Sequence, residues 1–442
     1  MLPDIRQTDY LYQVPKFALD RDDIVDMANE LKGFHENFAD CFHRTESRDN
    51  FYRYMTGQFS HLERKSIEPI AIATEGGKIR AMQRFVSDAP WDDDRIMDIY
   101  RSLVNSDLGH FDGAIIFDES GFVKKGDDSI GVARQYCGTI GKVDNCQVGV
   151  FAAYTSMHGY SLIDKRLYLP EKWFSDDYRE KREKCKLPSD ACFRTKPQLA
   201  IDMLANISEQ GLLPFRYVLA DSVYAGSSEF IDAIESLTGV TYLLQVPEDT
   251  LCWLKNPAMA QKTYQYRGQL HTKKQVSDTV KSPVTVKSFA ERLNDFFWYR
   301  RTVSEGTKGP IEYEFTKRRV TLSRHGLPWK TVWLLIRRTL HPEPTYSFYI
   351  SNAPVSVRLA RLVWLSGLRW AIEQCFEETK TELGMDQYEV RKFPGWHHHI
   401  LTCMLGHYFL WHLKIRLGKK STSHYSISTE GFAQDRFADA CF

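Results

Sequence analysis

The chain has 442 residues, 43% of them hydrophobic and 13% aromatic, so it can bury full cores, and at about 150 residues per domain it predicts two to four domains. Its 58 lysines and arginines against 57 aspartates and glutamates give a formal net charge of +1, which excludes a global basic field and leaves any polyanion to local patches. No run approaches the ~20 apolar residues of a bilayer span. The polar start MLPDIRQTDY lacks a secretory pattern. The nine scattered cysteines, with no C-x-x-C pair and Cys185 and Cys192 closest in mid-chain, predict a reduced cytoplasmic protein without a zinc module.

Residues 1–20 read as an extended arm. From Asp22 to about Leu108 the pattern is helical: Ile24, Met27, Leu31 and Phe34 recur at three and four, and further helices are predicted in RDNFYRYMTGQFSHLE, GKIRAMQRFVSDA and DDDRIMDIYRSLVN. This defines an all-helical N-terminal domain, residues 1–108. At Phe111 the character changes. GAIIFD, QVGVFAAYTS and YSLIDKRLYLP read as strands, followed by helix KPQLAIDMLANISEQ, strand FRYVLAD, helix SEFIDAIESL after a Ser cap, and strand TYLLQVP. The order β-β-β-α-β-α-β over residues 109–247 is that of a ribonuclease-H-like five-stranded mixed sheet in an α/β fold, with strands one and four adjacent and parallel. Residues 248–350 are polar, basic and strand-like, in QKTYQYRGQL, FFWYRRTVSE, EYEFTKRRVTL, TVWLLIRRTL and TYSFYIS. A structureless loop of that length would be anomalous, so the segment predicts a β-rich insertion with its own packing. Helices resume over 351–418, with Ser356 as a candidate cap, and residues 419–442 read as a polar tail.

Three acidic residues stand out. Asp118 closes GAIIFD and Asp221 closes FRYVLAD, each after an apolar run that reads as a buried strand, whose C-terminal end is where open α/β sheets place their sites. Glu373 lies in the helical run GLRWAIEQCFEETKTEL. Carboxylates gathered at neighbouring strand ends repel unless cations hold them, and two hard cations such as Mg2+ would clamp the oxygens of an in-line phosphoryl displacement. Arg369, Glu373 and Lys380, four and seven apart, fall within about 40° on a helix, as a phosphate backbone passing over it needs. An exposed face of ordinary ion pairs gives the same text. Of the neighbouring acids, Glu377 shares the stripe of Glu373, Glu378 points away and reads as solvated, and Glu119 should face the opposite side of the strand from Asp118, while Asp112 lies too far up that strand.

The chain resembles the DDE transposases of bacterial insertion sequences that carry the signature Y-x2-R-x3-E-x6-K. Arg369, Glu373 and Lys380 match its R, E and K, Asp118 and Asp221 match the two aspartates, and RWAIEQCFEETKTELGMDQYEVR, ERKSIEPIA, APWDDD and EGTKGP are similar to one subfamily. The signature Tyr position is Ser366, beside Gly367, where the helix is expected to break. The resemblance implies that Asp118, Asp221 and Glu373 hold two Mg2+ ions, with Mn2+ able to substitute, and that Arg369 and Lys380 bind phosphates. It further implies terminal inverted repeats and target DNA as partners, strand cleavage and transfer as the reaction, a homodimer on DNA, a bacterial cytoplasmic, nucleoid-associated setting, and a DNA-recognition role for residues 1–108. Two rivals remain: a ribonuclease-H-like nuclease without strand transfer, and a domesticated DNA-binding regulator.

Basic and aromatic residues interleave in the insertion at Tyr264, Tyr266, Arg267, Trp298, Tyr299, Arg300, Arg301, Lys317, Arg318 and Arg319. Ring stacking plus phosphate neutralisation suits distorted DNA. Trp298 is the expected stacking platform, with Arg300, Arg301, Arg318 and Arg319 as DNA contacts; a solvated basic strand face is the bland alternative. His397, His398 and His399 splay over 200° of helix, and His399, Cys403 and His407 sit among apolar residues, so a packed helix with satisfied histidines is expected rather than a metal site. Arg53, Lys78, Arg80 and Arg84 read equally as phosphate contacts or a solvated surface.

Overall fold

The computed structural model describes residues 21–267, 269–306 and 309–420. The arm expected over residues 1–20 and the tail beyond 420 lie outside them. The chain divides into two compact units, one of Arg216–Arg369 and one of the described residues before and after it.

In the unit before and after Arg216–Arg369, the first residues are helical: α1 (Arg21–Glu36), α2 (Thr45–Phe59), α3 (Ile67–Ala73), α4 (Ile79–Ser87) and α5 (Asp93–Leu108). The segment SIEPIAIA, inside the helical stretch but not among its individually predicted helices, supplies α3. Asp92 caps α5, its side chain accepting from the Arg95 amide, which satisfies one of the four unpaired N–H groups of a helix start. Next come β1 (Ala114–Val123), β2 (Ala133–Cys137), β3 (Lys142–Ser156) and β4 (Gly159–Tyr168). β1 runs antiparallel to β3 along its whole length, while β2 and β4 share the other edge of β3. β2 is too short and polar to be read by alternation.

After β4 come α6 (Arg179–Lys184) and α7 (Lys196–Gln210). Helix α7 follows the sequence closely: Thr195 and Gln198 form a reciprocal capping box, and Gly211 at φ 61° ends the helix in the left-handed region that glycine tolerates. Helices α12 (Trp370–Leu383) and α13 (Phe393–Lys420) complete this unit. The N-terminal helices share one core with them. Phe34 packs on Phe409 with centroids 5.2 Å apart, and Tyr100 Oη bonds Ser161 Oγ at 2.9 Å. Arg101, almost wholly buried, donates to Asp164 at 2.6 Å and Asn206 at 2.9 Å, tying α5 to β4 and α7. Such a cluster is stable only with its partners complete, because a buried charge left alone keeps its desolvation cost.

The Arg216–Arg369 unit holds β5 (Tyr217–Ala220), α8 (Ser222–Ala225), α9 (Ser228–Glu235) and β6 (Thr241–Val246), the last parallel to β5. Ser227 caps α9 as its sequence predicts. The expected insertion follows as β7 (Leu251–Trp253), β8 (Met259–Tyr266), β9 (Gln269–Val276), β10 (Val284–Thr285), α10 (Val286–Glu291), β11 (Tyr299–Gly306), β12 (Gly309–Arg324), β13 (Leu327–Arg338) and β14 (Tyr346–Ser351). It does not pack by itself. β14 pairs antiparallel with β6, β13 with β14 and β12 with β13, so the segment extends the β5–β6 sheet into a large mixed sheet. The stretch QKTYQYRGQL is not one strand either, since it turns at Arg267 into the β8–β9 hairpin. Helix α11 (Leu359–Leu368) closes this unit, and its cap position is Arg358, not Ser356.

Candidate active site

Asp118 lies in the middle of β1, not at its end. The strand continues because Ser120–Val123 stay in register with Gly149–Cys146 of β3 and bury Phe122. Along β1, Asp118 and Glu119 are the two half-buried positions in an otherwise buried run that is exposed only at Val123. The Glu119 amide donates to Asp118 Oδ1 at 2.8 Å, and the Glu119 carboxylate takes Lys196 Nζ, from the first residue of α7, at 2.7 Å. These bonds compensate charge that a strand interior would otherwise expel. Asp112 precedes the strand, in a turn where its amide donates to His110 Nδ1.

Asp221 stands where its sequence predicts, directly after the four buried residues of β5. Its Oδ1 accepts the Val223 amide at 2.9 Å. Asp118, Glu119 and Asp221 each present a half-buried carboxylate oxygen able to hold a metal ion. Oxygen-only donors suit a hard cation such as Mg2+ rather than a thiophilic metal. Strand alternation in the sequence turns Glu119 away from Asp118 and so hides it as a candidate ligand.

Glu373 occupies the first turn of α12 and is exposed. Glu377, one turn on, is also exposed and takes Gln374 Nε2 at 2.8 Å. Glu378 is not solvated: Tyr160 Oη donates to it and His407 Nε2 lies against it, both at 2.7 Å. Burial alone would raise its pKa, but these bonds and the charge of His407 and Lys414 bring it below the ordinary glutamate value. Lys380 Nζ donates to Thr139 Oγ1 at 3.0 Å and is held below the usual lysine range by burial. The break expected at Gly367 does not occur. Ser366 and Gly367 lie inside α11, with Ser366 buried and its hydroxyl donating to Val363 O at 2.7 Å; the interruption falls at Arg369, the C-cap of α11, whose backbone stays helical at φ −58° and ψ −28°.

Trp298 is buried, at 7% exposure, beneath the Arg338 guanidinium 4.2 Å from its ring and beside Tyr346. Arg338 is fixed there by Glu314 at 2.7 Å and Asp295 at 2.8 Å. The ring therefore belongs to the core, and the cluster presents Phe296, Phe297 and Tyr299 to solvent instead. Arg300 and Arg318 are exposed. Arg301 bonds the Arg300 carbonyl at 2.7 Å, and Arg319 donates to Thr331 O at 3.1 Å while lying over Trp333. Lys317 shares that ring and donates to Val357 O.

His398, His399 and His407 of α13 are core residues as expected, whereas His397 and His412 are half-buried. His398 Nδ1 pairs with Val86 O and His399 Nδ1 with Tyr54 Oη, each at 2.8 Å. Burial drives the pKa of His399 down to about 4, so it packs as a neutral ring. Among the described residues the cysteines are free thiols, and no helix is long and apolar enough to cross a membrane.

A family model described as "DDE superfamily endonuclease" matches residues 37–310, more than half of the chain, and the chain belongs to that family. Within it, the resemblance to insertion-sequence DDE transposases is borne out. The chain is 23% identical over 376 residues, covering 84% of its length and 83% of the relative's, to "Probable transposase for insertion sequence element IS701" of Microchaete diplosiphon. A solved structure, the cryo-EM synaptic complex of piggyBac transposase with hairpin DNA, aligns over 99% of this chain and 76% of that one at 8% identity and TM-score 0.39. Family membership implies a nucleic-acid-cleaving enzyme dependent on divalent metal ions.

Proposed function

We propose that this protein binds the terminal inverted repeats of a mobile element, cuts the DNA there and joins the freed 3′ ends to target DNA, acting as a homodimer on DNA because two ends must be processed together. Its catalytic core is ribonuclease-H-like, and Asp118, Asp221 and Glu373 form one metal site, with Mg2+ as the ordinary ion and Mn2+ as a substitute. The observation that carries this reading is the placement of Asp118 and Asp221 as half-buried carboxylates within and at the end of two buried strands, in a chain of the DDE endonuclease family. Bound divalent ions supply Lewis acidity to the attacking and leaving oxygens of an in-line displacement. Asp118 would hold them from within the paired register of β1, and Asp221 from the position directly after β5, where its side chain also accepts the Val223 amide. Arg369 and Lys380 position phosphates, the latter on the same helix as Glu373.

One observation favours a second candidate for the third carboxylate: Glu119 is half-buried beside Asp118, whereas Glu373 is exposed. A plasmid carrying the DNA that flanks the reading frame separates the possibilities. The wild type should nick at the element ends with Mg2+ and yield joined product. Asp118→Ala, Asp221→Ala and Glu373→Ala should each lose nicking by at least about a hundredfold while retaining repeat binding. Retained cleavage in Glu373→Ala with loss in Glu119→Gln assigns the third carboxylate to Glu119. Nicking without joined product identifies a nuclease, and binding without nicking identifies a regulator.

A further inference from the structure

β8 and β9 pair with each other alone, as a two-stranded ribbon outside the large sheet. Such a ribbon is marginal by itself, so its composition reflects little core packing. Between Thr250 and Ser277 the sequence has no acidic residue, against Lys255, Lys262, Arg267, Lys273 and Lys274. Lys262 stands directly across from Lys273, a like-charge pair that costs stability in the free protein. On the same face the rings of Tyr264 and His271 stack at 5.6 Å, while Lys274 lies on the opposite face, across from Gln261. At the tip Arg267 adopts φ 50°, a left-handed conformation usually given to Asn, Asp or Gly.

Lysines on an isolated ribbon also prevent edge-to-edge pairing, but charges of either sign serve that purpose. One sign throughout, on both faces, with an arginine held in a strained turn, is what a polyanion lying on either side of the ribbon would call for. A two-stranded ribbon fits the major groove of duplex DNA, about 12 Å wide. We propose that the β8–β9 ribbon enters a groove of duplex DNA, with Arg267 leading and Lys262, Lys273 and Lys274 meeting phosphates on the two walls. This rests on the reading that DNA is the ligand.

The test uses the full chain, a duplex carrying the DNA that flanks the reading frame, and an unrelated duplex of equal length. The triple variant Lys262→Gln, Lys273→Gln, Lys274→Gln should bind at least about tenfold more weakly near physiological salt, with its log–log salt slope shallower by about three. Arg267→Gly relieves the turn, so it should melt no lower than the wild type and still bind more weakly, which separates lost contact from lost folding. Unchanged affinity and slope in both variants overturn the proposal. So does a change of oligomeric state without a change in DNA affinity, which makes the ribbon a protein contact. A wild type that binds neither duplex overturns the DNA reading itself, whereas binding by wild type and variants alike overturns the ribbon alone.

Discussion

Trp298 and Phe296 are two residues apart, yet burial separates their roles. Trp298 fills a core site under Arg338, and Phe296 is 79% exposed. Trp298→Ala should destabilise the protein by roughly 3–5 kcal/mol, the usual cost of truncating a buried large aromatic, and Phe296→Ala should stay within about 0.5 kcal/mol. Paired chemical denaturation curves check this, and a neutral Trp298→Ala would return that ring to the surface. Glu378 carries a pH signature. Its folded pKa lies below the ordinary glutamate value, so its contribution is complete above the ordinary value and is lost as pH falls through the lowered one. Melting temperature followed downward from about pH 5 should drop more steeply in the wild type than in Glu378→Gln.

At the scale of elements, His412 joins three helices. From α13 its Nδ1 meets Asp107 of α5 at 2.7 Å and its Nε2 meets Glu30 of α1 at 2.9 Å. Tyr408 also donates to Asp107 at 2.6 Å, and Arg416 bridges Glu30 at 2.7 Å and approaches Asp26 at 3.8 Å. The bond to Asp107 first, and then that to Glu30, raises the pKa of His412 against the effect of burial. A raised pKa places the stabilisation fully below about pH 6.5 and removes it as pH rises through the folded value. Amide exchange in α1, measured by mass spectrometry with correction for intrinsic rate, should accelerate as pH rises through that window. His412→Gln should exchange quickly throughout, and an unaltered pH profile in that variant would show that α1 is held by its apolar face alone. Lys65 does comparable work for α12: its buried ammonium donates to the carbonyls of Gln58 and Glu382, closing the helix end that Gly384 turns away from at φ 68°.

For the molecule as a whole, the insertion cannot be treated as an accessory. Deleting residues 248–350 removes β14 and leaves buried Tyr242, Leu244 and Val246 on an open strand edge. That deletion should yield aggregated protein, while replacing only 259–276 with a short turn should leave a soluble, cooperatively melting chain; size-exclusion chromatography distinguishes the two. With a net charge of only +1, DNA affinity must come from local basic surfaces and fall steeply with salt. Arg318→Glu should flatten the slope more than Arg319→Glu, since Arg319 is already engaged by Thr331 and Trp333.

What the sequence determined by itself was local: the helices α5, α7 and α9, the last with its Ser cap, the apolar strands, the core histidines His398, His399 and His407, the family resemblance, and Asp221 at a strand end. These follow from near-neighbour chemistry, namely side-chain caps, hydrophobic period and turn residues. Strand length, pairing partners and side-chain exposure needed the tertiary structure. Asp118 reads as a strand end because a charge closes its apolar run, but β3 supplies partners for five residues more and the strand continues. Glu378 reads as solvated on its helix, yet Tyr160 from β4 and His407 from α13 cover it. Trp298 reads as a platform beside arginines, and the arginine that covers it, Arg338, lies forty residues away on β13. In each case the deciding contact comes from a segment distant in the chain, and a linear pattern carries no information about such a neighbour until the backbone has folded to bring it there.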